Sequence, residues 1–138
     1  KVNIISMFET VKAAEEHLKP GSAIITTTSV QAFNPSAHII DYAATKGAIA
    51  NFTITLSSIF AEKGVRVNGI APGPIWTPIQ MDQGQPEGAI PGFGQDSLLG
   101  RAGQPVELAP VYVLLASDEG SYITGQIYGV TGGEPINP

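Results

Sequence analysis

Tyr42 and Lys46 stand four residues apart in the segment SAHIIDYAATKGAIANF, where a run with helical periodicity begins. Residues at this spacing lie on one face of a helix. A free phenol has a pKa of about 10 and is a weak proton donor at neutral pH. A cation about 4 Å away, at an effective dielectric constant of about 20, stabilises the phenolate by on the order of 4 kcal/mol. The spacing therefore predicts a proton donor and the cation that makes it a stronger acid.

A hydroxyl is predicted to join this pair. Ser29 lies near the end of the β-branched run SAIITTTSV, which is typical of a strand, and thirteen residues before Tyr42. In parallel α/β sheets, ligands lie beyond the carboxyl ends of the strands. A hydroxyl and a phenol around one substrate oxygen suit the interconversion of a carbonyl and an alcohol. Taken singly, each residue also has an ordinary explanation, as part of a surface helix or as a turn former.

Composition and charge exclude several classes of protein. The 138 residues suit one domain, and the 43% apolar and 14% charged content indicates a globular chain with a core. A net charge of -5 argues against nucleic acid or an anionic membrane as a partner. With no cysteine and two histidines, no disulfide and no metal site is predicted. No apolar run approaches 18 residues and no leader is visible, so we expect a cytoplasmic protein.

Hydrophobic periodicity and turn residues predict the elements that position these side chains. Helices are expected over 2–18, 41–63 and 105–117, strands over 22–30, 65–73 and 125–133, and a long loop over 74–104 that Arg101 fastens. Strands that alternate with helices imply right-handed crossovers and a parallel sheet covered on both faces. The predicted fold class is doubly wound α/β. Because the first helix has no capping residue and the first strand no earlier partner, we expect the chain to be part of a longer domain.

Several motifs together resemble one known family. The Y-x-x-x-K motif stands as YAATK, with its serine in TTSV and a helix asparagine in KVNIISMF. VRVNGIAPGPIWTP is similar to V-N-x-I-x-P-G-x-I-x-T, and the segment from GRAGQP to GVTGG is similar to the family's closing helix and strand. Over essentially all 138 residues, the chain resembles the C-terminal part of a Rossmann-type short-chain dehydrogenase/reductase. TSVQAF, HIIDYAATKGAI and PGPIWTP are most similar to the general-stress-protein subgroup of bacterial oxidoreductases.

The resemblance implies hydride transfer between NAD(P)(H) and a carbonyl or alcohol. Tyr42 would pass a proton to or from the substrate oxygen, and Ser29 would orient that oxygen. Lys46 would hold the nicotinamide ribose and assist Tyr42, and Asn3 would hold a water in a proton relay behind Lys46. The hydride itself belongs to the cofactor.

The resemblance also implies which residues bind the cofactor and the substrate. The cofactor, with NADP slightly preferred over NAD, would be held by Tyr42, Lys46, Pro72, Gly73, Ile75 and Thr77. The substrate, a small carbonyl or alcohol compound, would contact Ser29, Gln31, Phe33 and Trp76. The family's subunit interfaces imply a homo-tetramer or homo-dimer, formed through the outer faces of helices 2–18 and 41–63 and through the last strand.

The family's glycine-rich phosphate loop is not found in the sequence. Gly92 and Gly94 do not follow a predicted strand, so they do not form this loop. Residues 1–138 would then be the catalytic and substrate-binding part of one domain, without its N-terminal dinucleotide-binding part. A non-catalytic, truncated fragment that serves as an interaction module is the alternative. A hydrolase with Ser29 as nucleophile is disfavoured, because no G-x-S-x-G elbow surrounds it.

Overall fold

A computed structural model of the chain describes residues 1–82, 86 and 88–136. Its helices and strands are α1 (Ile5–Ala14), β1 (Ala23–Thr27), α2 (Ile40–Ala61), β2 (Arg66–Pro72), α3 (Ala109–Ala116) and β3 (Ile127–Val130). The strands form a parallel sheet in the order β1-β2-β3. The predicted α/β class with a parallel sheet is therefore confirmed, and each element is shorter than the sequence pattern predicted.

Helices cover both faces of the sheet. On β1, Thr26 Oγ1 lies 2.5 Å from Thr53 Oγ1 of α2, and Thr27 Oγ1 lies 2.5 Å from the Tyr112 hydroxyl of α3. Successive side chains of a strand point to opposite faces of the sheet. Consequently α2 and α3 lie on opposite faces, as a doubly wound arrangement requires.

A hydrophobic core holds α2, the helix that connects β1 to β2, against the sheet. Leu56 and Phe60 of α2 pack against Val65 and Val67, which are all but inaccessible to solvent. The partly buried side chains Val11, Leu18, Ile24 and Phe52 surround this cluster. Burial of such side chains contributes roughly 1.5–3 kcal/mol each, which holds α2 across the sheet.

The third helix begins four residues later than predicted. Residues Pro105–Leu108 form a 3-10 turn, in which Glu107 accepts a hydrogen bond from the Gln104 amide at 2.7 Å, and α3 begins at Ala109. Pro110 has no N–H, so it cannot donate to the carbonyl of Val106 as an α-helix from Pro105 would require. None of the helices in the described part of the chain is long and apolar enough to cross a membrane.

Candidate active site

The buried hydroxyl of Ser29 lies just beyond the carboxyl end of β1. Ser29 precedes the 3-10 turn Val30–Ala32, and its Oγ accepts a hydrogen bond from the Gln31 amide at 3.2 Å. Only 7% of the Ser29 surface is exposed. This contact fixes the hydroxyl oxygen at the strand end while its proton stays available to donate.

Lys46 lies beside Tyr42 and is bound to the end of β1. Its Nζ is 5.5 Å from the centroid of the Tyr42 ring and donates to the carbonyl of Thr27 at 3.0 Å. The Thr28 hydroxyl donates to the Lys46 carbonyl at 2.6 Å. Burial, which disfavours the charged form, lowers the pKa of the Lys46 ammonium below its ordinary value of 10.5. Sequence analysis missed both threonines, which carry no motif signal beyond their place in a β-branched run.

An open cleft of about 1120 Å³ lies beyond the carboxyl ends of the strands. Eight of the predicted site residues line it, namely Ser29, Gln31, Tyr42, Lys46, Pro72, Gly73, Ile75 and Thr77. The Tyr42 side chain, 40% exposed, faces this space. The structure thus brings the predicted proton donor, its cation and the hydroxyl to one surface.

Three predicted site residues lie outside the lining of the cleft. The Asn3 amide donates to Thr45 Oγ1 at 3.0 Å, and Thr45 Oγ1 donates to the Tyr42 carbonyl at 2.8 Å. Trp76 packs against Phe93, with ring centroids 6.1 Å apart. Phe93 is itself a lining residue, so Trp76 contacts the wall of the cleft without being part of its lining.

The third of these residues is Phe33, which is half-buried after the 3-10 turn that follows Ser29. Its backbone N–H donates to the carbonyl of Val30 at 2.9 Å. The neighbouring Asn34, which the sequence analysis did not single out, lines the cleft instead. The turn therefore directs Asn34, and not the aromatic side chain of Phe33, to the cleft.

The Pro72-Gly73 turn brings the ends of β2 and β3 unusually close. The Gly73 N–H donates to the Val130 carbonyl at 3.0 Å. A Cβ at position 73 would lie 2.7 Å from the Thr131 Cα and carbonyl oxygen, closer than real Cβ atoms come. Glycine is therefore required for this backbone path, which forms part of the wall of the cleft.

The predicted loop over 74–104 is closed at its neck. Ile75 and Gly103 form a parallel bridge, and the Trp76 N–H donates to the Gly103 carbonyl at 2.8 Å. The Arg101 guanidinium binds both carboxylate oxygens of Glu107, at 2.8 and 2.7 Å. These contacts fasten the loop to the start of the third helical segment, which is the role predicted for Arg101.

The chemistry of the lining fits the ribose and nicotinamide end of a dinucleotide. The Lys46 ammonium has three N–H donors, of which one binds the Thr27 carbonyl. The Tyr42 phenol lies beside it. Gly92 and Gly94 also line the cleft. Gly92 is the last residue of the 3-10 turn Ile90–Gly92 and Gly94 comes after this turn, so neither follows a strand. Across residues 1–82, 86 and 88–136, no three His, Cys, Asp or Glu side chains are grouped as metal ligands.

Comparison with known proteins identifies the class to which this fold and cleft belong. Residues 1–134 match the family described as enoyl-(acyl carrier protein) reductase. A short-chain dehydrogenase/reductase of Brucella melitensis, described as glucose/ribitol dehydrogenase, superposes with a TM-score of 0.88 at 34% identity, covering 99% of this chain and 54% of that chain. The chain belongs to the short-chain dehydrogenase/reductase family.

Curated relatives refine this placement. The uncharacterized oxidoreductase YhxD of Bacillus subtilis is 57% identical over 138 residues, with 98% of this chain and 46% of YhxD covered. General stress protein 39 of the same organism is 53% identical over 133 residues, which cover 96% of this chain and 46% of that protein. The predicted similarity to the general-stress-protein subgroup is therefore confirmed. The chain spans about half the length of the curated relatives it matches.

Two further similarities concern the cofactor. NADPH-dependent aldehyde reductase 1 of Arabidopsis thaliana, a chloroplastic protein, is 49% identical over 138 residues, with 99% of this chain and 48% of that protein covered. An NADPH-bound short-chain oxidoreductase of Pseudomonas aeruginosa superposes with a TM-score of 0.86 at 29% identity. That superposition covers 99% of this chain and 55% of that chain.

Proposed function

We propose that the full-length protein containing this chain is an NAD(P)-dependent oxidoreductase that interconverts a carbonyl and an alcohol in a small molecule. The observation that supports this proposal is the grouping of Ser29, Tyr42 and Lys46 around one cleft at the carboxyl ends of the strands. A hydroxyl, a phenol and a half-buried ammonium at this place are the groups that proton transfer to a carbonyl oxygen needs.

The side chains divide the work among them. Tyr42 donates a proton to the substrate oxygen, or accepts one from it, because the residue is partly exposed and lines the cleft. Ser29 donates a hydrogen bond to the same oxygen and orients it. Lys46 binds the ribose hydroxyls with the donors that Thr27 leaves available, and it stabilises the phenolate form of Tyr42. The nicotinamide, when bound, supplies or accepts the hydride.

Asn3 acts further from the substrate in this scheme. Its contact with Thr45, one residue before Lys46, holds the segment before α1 against α2 at the level of the lysine. The water relay implied by the resemblance stays a prediction for this residue. Pro72, Gly73, Ile75 and Thr77, which line the cleft, would contact the nicotinamide.

NADP is the favoured cofactor. An NADPH-dependent relative and an NADPH-bound structural neighbour support this preference over NAD. In the family that the chain resembles, the residue that separates the two cofactors belongs to the N-terminal part with the glycine-rich loop. We expect a cytoplasmic homo-oligomer, a tetramer or a dimer, with no nucleic acid or membrane among its partners.

The alternative is a truncated fragment with a non-catalytic role. The intact mass of the purified protein distinguishes the proposed oxidoreductase from this fragment. A mass of about twice the 14.4 kDa of this chain would mean that the protein also contains the dinucleotide-binding part. A mass equal to that of this chain would favour the non-catalytic role.

The direct test removes the phenolic hydroxyl. In the full-length protein, Tyr42→Phe is expected to lower the rate of NADPH-dependent aldehyde reduction by about 10²–10⁴-fold with no loss of helical circular dichroism. Tyr122→Phe is the matched control, because Tyr122 is fully exposed and does not line the cleft. Equal activity of the two variants would contradict the proposal.

A further inference from the structure

A contact between two distant segments forms part of the lining of the cleft. The Asn34 side-chain amide donates to Glu134 Oε1 at 3.2 Å, and both residues line the cleft. Asn34 follows Ser29 by five residues, and Glu134 follows the end of β3 by four. The carboxylate of Glu134 is therefore held against the segment that follows Ser29.

Both partners are held by their own backbones. The Asn34 N–H donates to the Val30 carbonyl at 2.8 Å. The Thr131 hydroxyl donates to the Glu134 carbonyl at 2.7 Å, which closes the turn after β3. The Leu99 N–H donates to the carbonyl of Gly132 at 3.1 Å, so the long loop supports the same turn. The Glu134 carboxylate is thus a positioned group.

Its charge is not neutralised by a neighbour. Among the described residues that line the cleft, the groups charged at neutral pH are Lys46, Asp96 and Glu134. The ion pairs found in the described part of the chain involve other residues, and Arg101 is engaged with Glu107. Because like charges repel, the carboxylates of Asp96 and Glu134 disfavour an anionic group bound close to either of them.

The position of Glu134 in the sheet assigns it to the substrate. In the order β1-β2-β3, the second edge of β1 has no partner among the described strands. The dinucleotide-binding part, if present as proposed, would extend the sheet from that edge. Glu134 follows β3, at the opposite edge of the described sheet, so it would lie on the side away from the dinucleotide-binding part.

We propose that Glu134, held by Asn34, is a specificity-determining residue that selects uncharged, hydroxyl-bearing carbonyl substrates over those with a carboxylate. A carboxylate accepts hydrogen bonds from substrate hydroxyls and repels substrate anions. This inference rests on the proposed oxidoreductase function and names the class of its substrate.

The experiment compares two aldehydes of nearly the same shape, 4-(hydroxymethyl)benzaldehyde and 4-carboxybenzaldehyde. In the full-length protein, kcat/KM for NADPH-dependent reduction is expected to be higher for the hydroxymethyl compound. Glu134→Gln, whose amide oxygen still accepts from Asn34, should shrink the ratio of the two kcat/KM values by about fivefold or more. Most of that change should be a gain in activity on the carboxylate.

Glu119→Gln is the control, because Glu119 is an exposed carboxylate outside the cleft, and it should leave the ratio unchanged. Intact reduction with a ratio that Glu134→Gln does not alter would overturn the proposal for Glu134 alone. Reduction of neither aldehyde by the unmodified protein would overturn the proposed function, and the assignment of Glu134 with it.

Discussion

Lys46 and Thr27 are joined by a hydrogen bond of 3.0 Å from the ammonium to the backbone carbonyl. The neighbouring Thr28 hydroxyl donates to the Lys46 carbonyl at 2.6 Å, so the end of β1 holds both the side chain and the backbone of Lys46. This arrangement leaves the ammonium half-buried and ties it to the end of the strand.

This burial predicts an unusual titration for Lys46. After reductive ¹³C-methylation, which keeps the charge, NMR should show the Lys46 amine titrating with a pKa below the ordinary 10.5. The Lys46→Arg variant assigns the resonance. Between the lowered pKa and 10.5, the unfolded chain binds more protons at this group, so its contribution to the free energy of unfolding rises with pH. A midpoint at or above 10.5 would contradict the buried environment.

A second prediction concerns the turn after β2. Gly73→Ala should lower the free energy of unfolding by about 1–3 kcal/mol, because its Cβ would collide with the Thr131 backbone. Gly47→Ala in α2 is the control, since nothing lies within 4 Å of its Cβ. That variant should gain about 0.5–1 kcal/mol from helix propensity. Urea unfolding of the full-length protein measures both changes in free energy. A Gly73→Ala variant as stable as the unmodified protein would show that the two backbones can move apart.

A third prediction follows from the ion pair at the neck of the long loop. The Arg101 guanidinium and the Gln104 amide lower the pKa of Glu107 from 4.5 to about 2. The stabilisation from the Glu107 carboxylate is therefore present above pH 4.5 and is lost as the pH falls toward 2. The difference in Tm between the unmodified protein and Glu107→Gln should shrink as the pH falls from about 4.5 to about 3.

The pair is exposed to solvent, so added salt should reduce the same difference in Tm. Glu119→Gln removes an exposed carboxylate without touching the loop and should show neither effect. A difference between the unmodified protein and Glu107→Gln that is constant with pH would contradict a stabilising role for the charge of Glu107.

A fourth prediction tests Asn68, a buried polar residue of β2. Its side-chain amide donates to the Ile123 carbonyl at 2.7 Å, and its amide oxygen accepts from the Gln126 N–H at 3.0 Å. Asn68→Ala leaves both backbone groups without this partner, which should cost about 2–4 kcal/mol in the free energy of unfolding. The exposed Asn51→Ala should change it by less than about 0.5 kcal/mol. Equal effects would mean that water replaces the lost contacts.

The order and type of the elements could be predicted from the sequence, but their ends could not. β-Branched runs and helical periodicity locate all three strands and helices, and Gly64, with φ of +67°, stands just past the end of α2. The predicted helices run on into flanking 3-10 turns, Glu15–His17 and Pro105–Leu108, at whose ends Leu18 and Leu108 are the next partly buried apolar residues. Periodicity therefore overestimates the length of α1 and of the third helix.

The grouping of Ser29, Tyr42 and Lys46 was predictable because its members are close in sequence or at strand ends. Tyr42 and Lys46 need only one helical turn to meet. By contrast, the partner of the Lys46 ammonium is a backbone carbonyl, which every residue possesses and which no motif can distinguish. Trp76 was expected at the cleft, but the bridge between Ile75 and Gly103 sets the path of its backbone. Such a pairing across the loop leaves no local signal.

The contact between Asn34 and Glu134 joins residues 100 positions apart. During synthesis, Asn34 and the turn that carries it leave the ribosome long before the segment after β3 exists. Translation must therefore pass Glu134 before this contact can form. The positions of Asn34 and Glu134 in the sequence thus determine that this part of the cleft is completed late in synthesis.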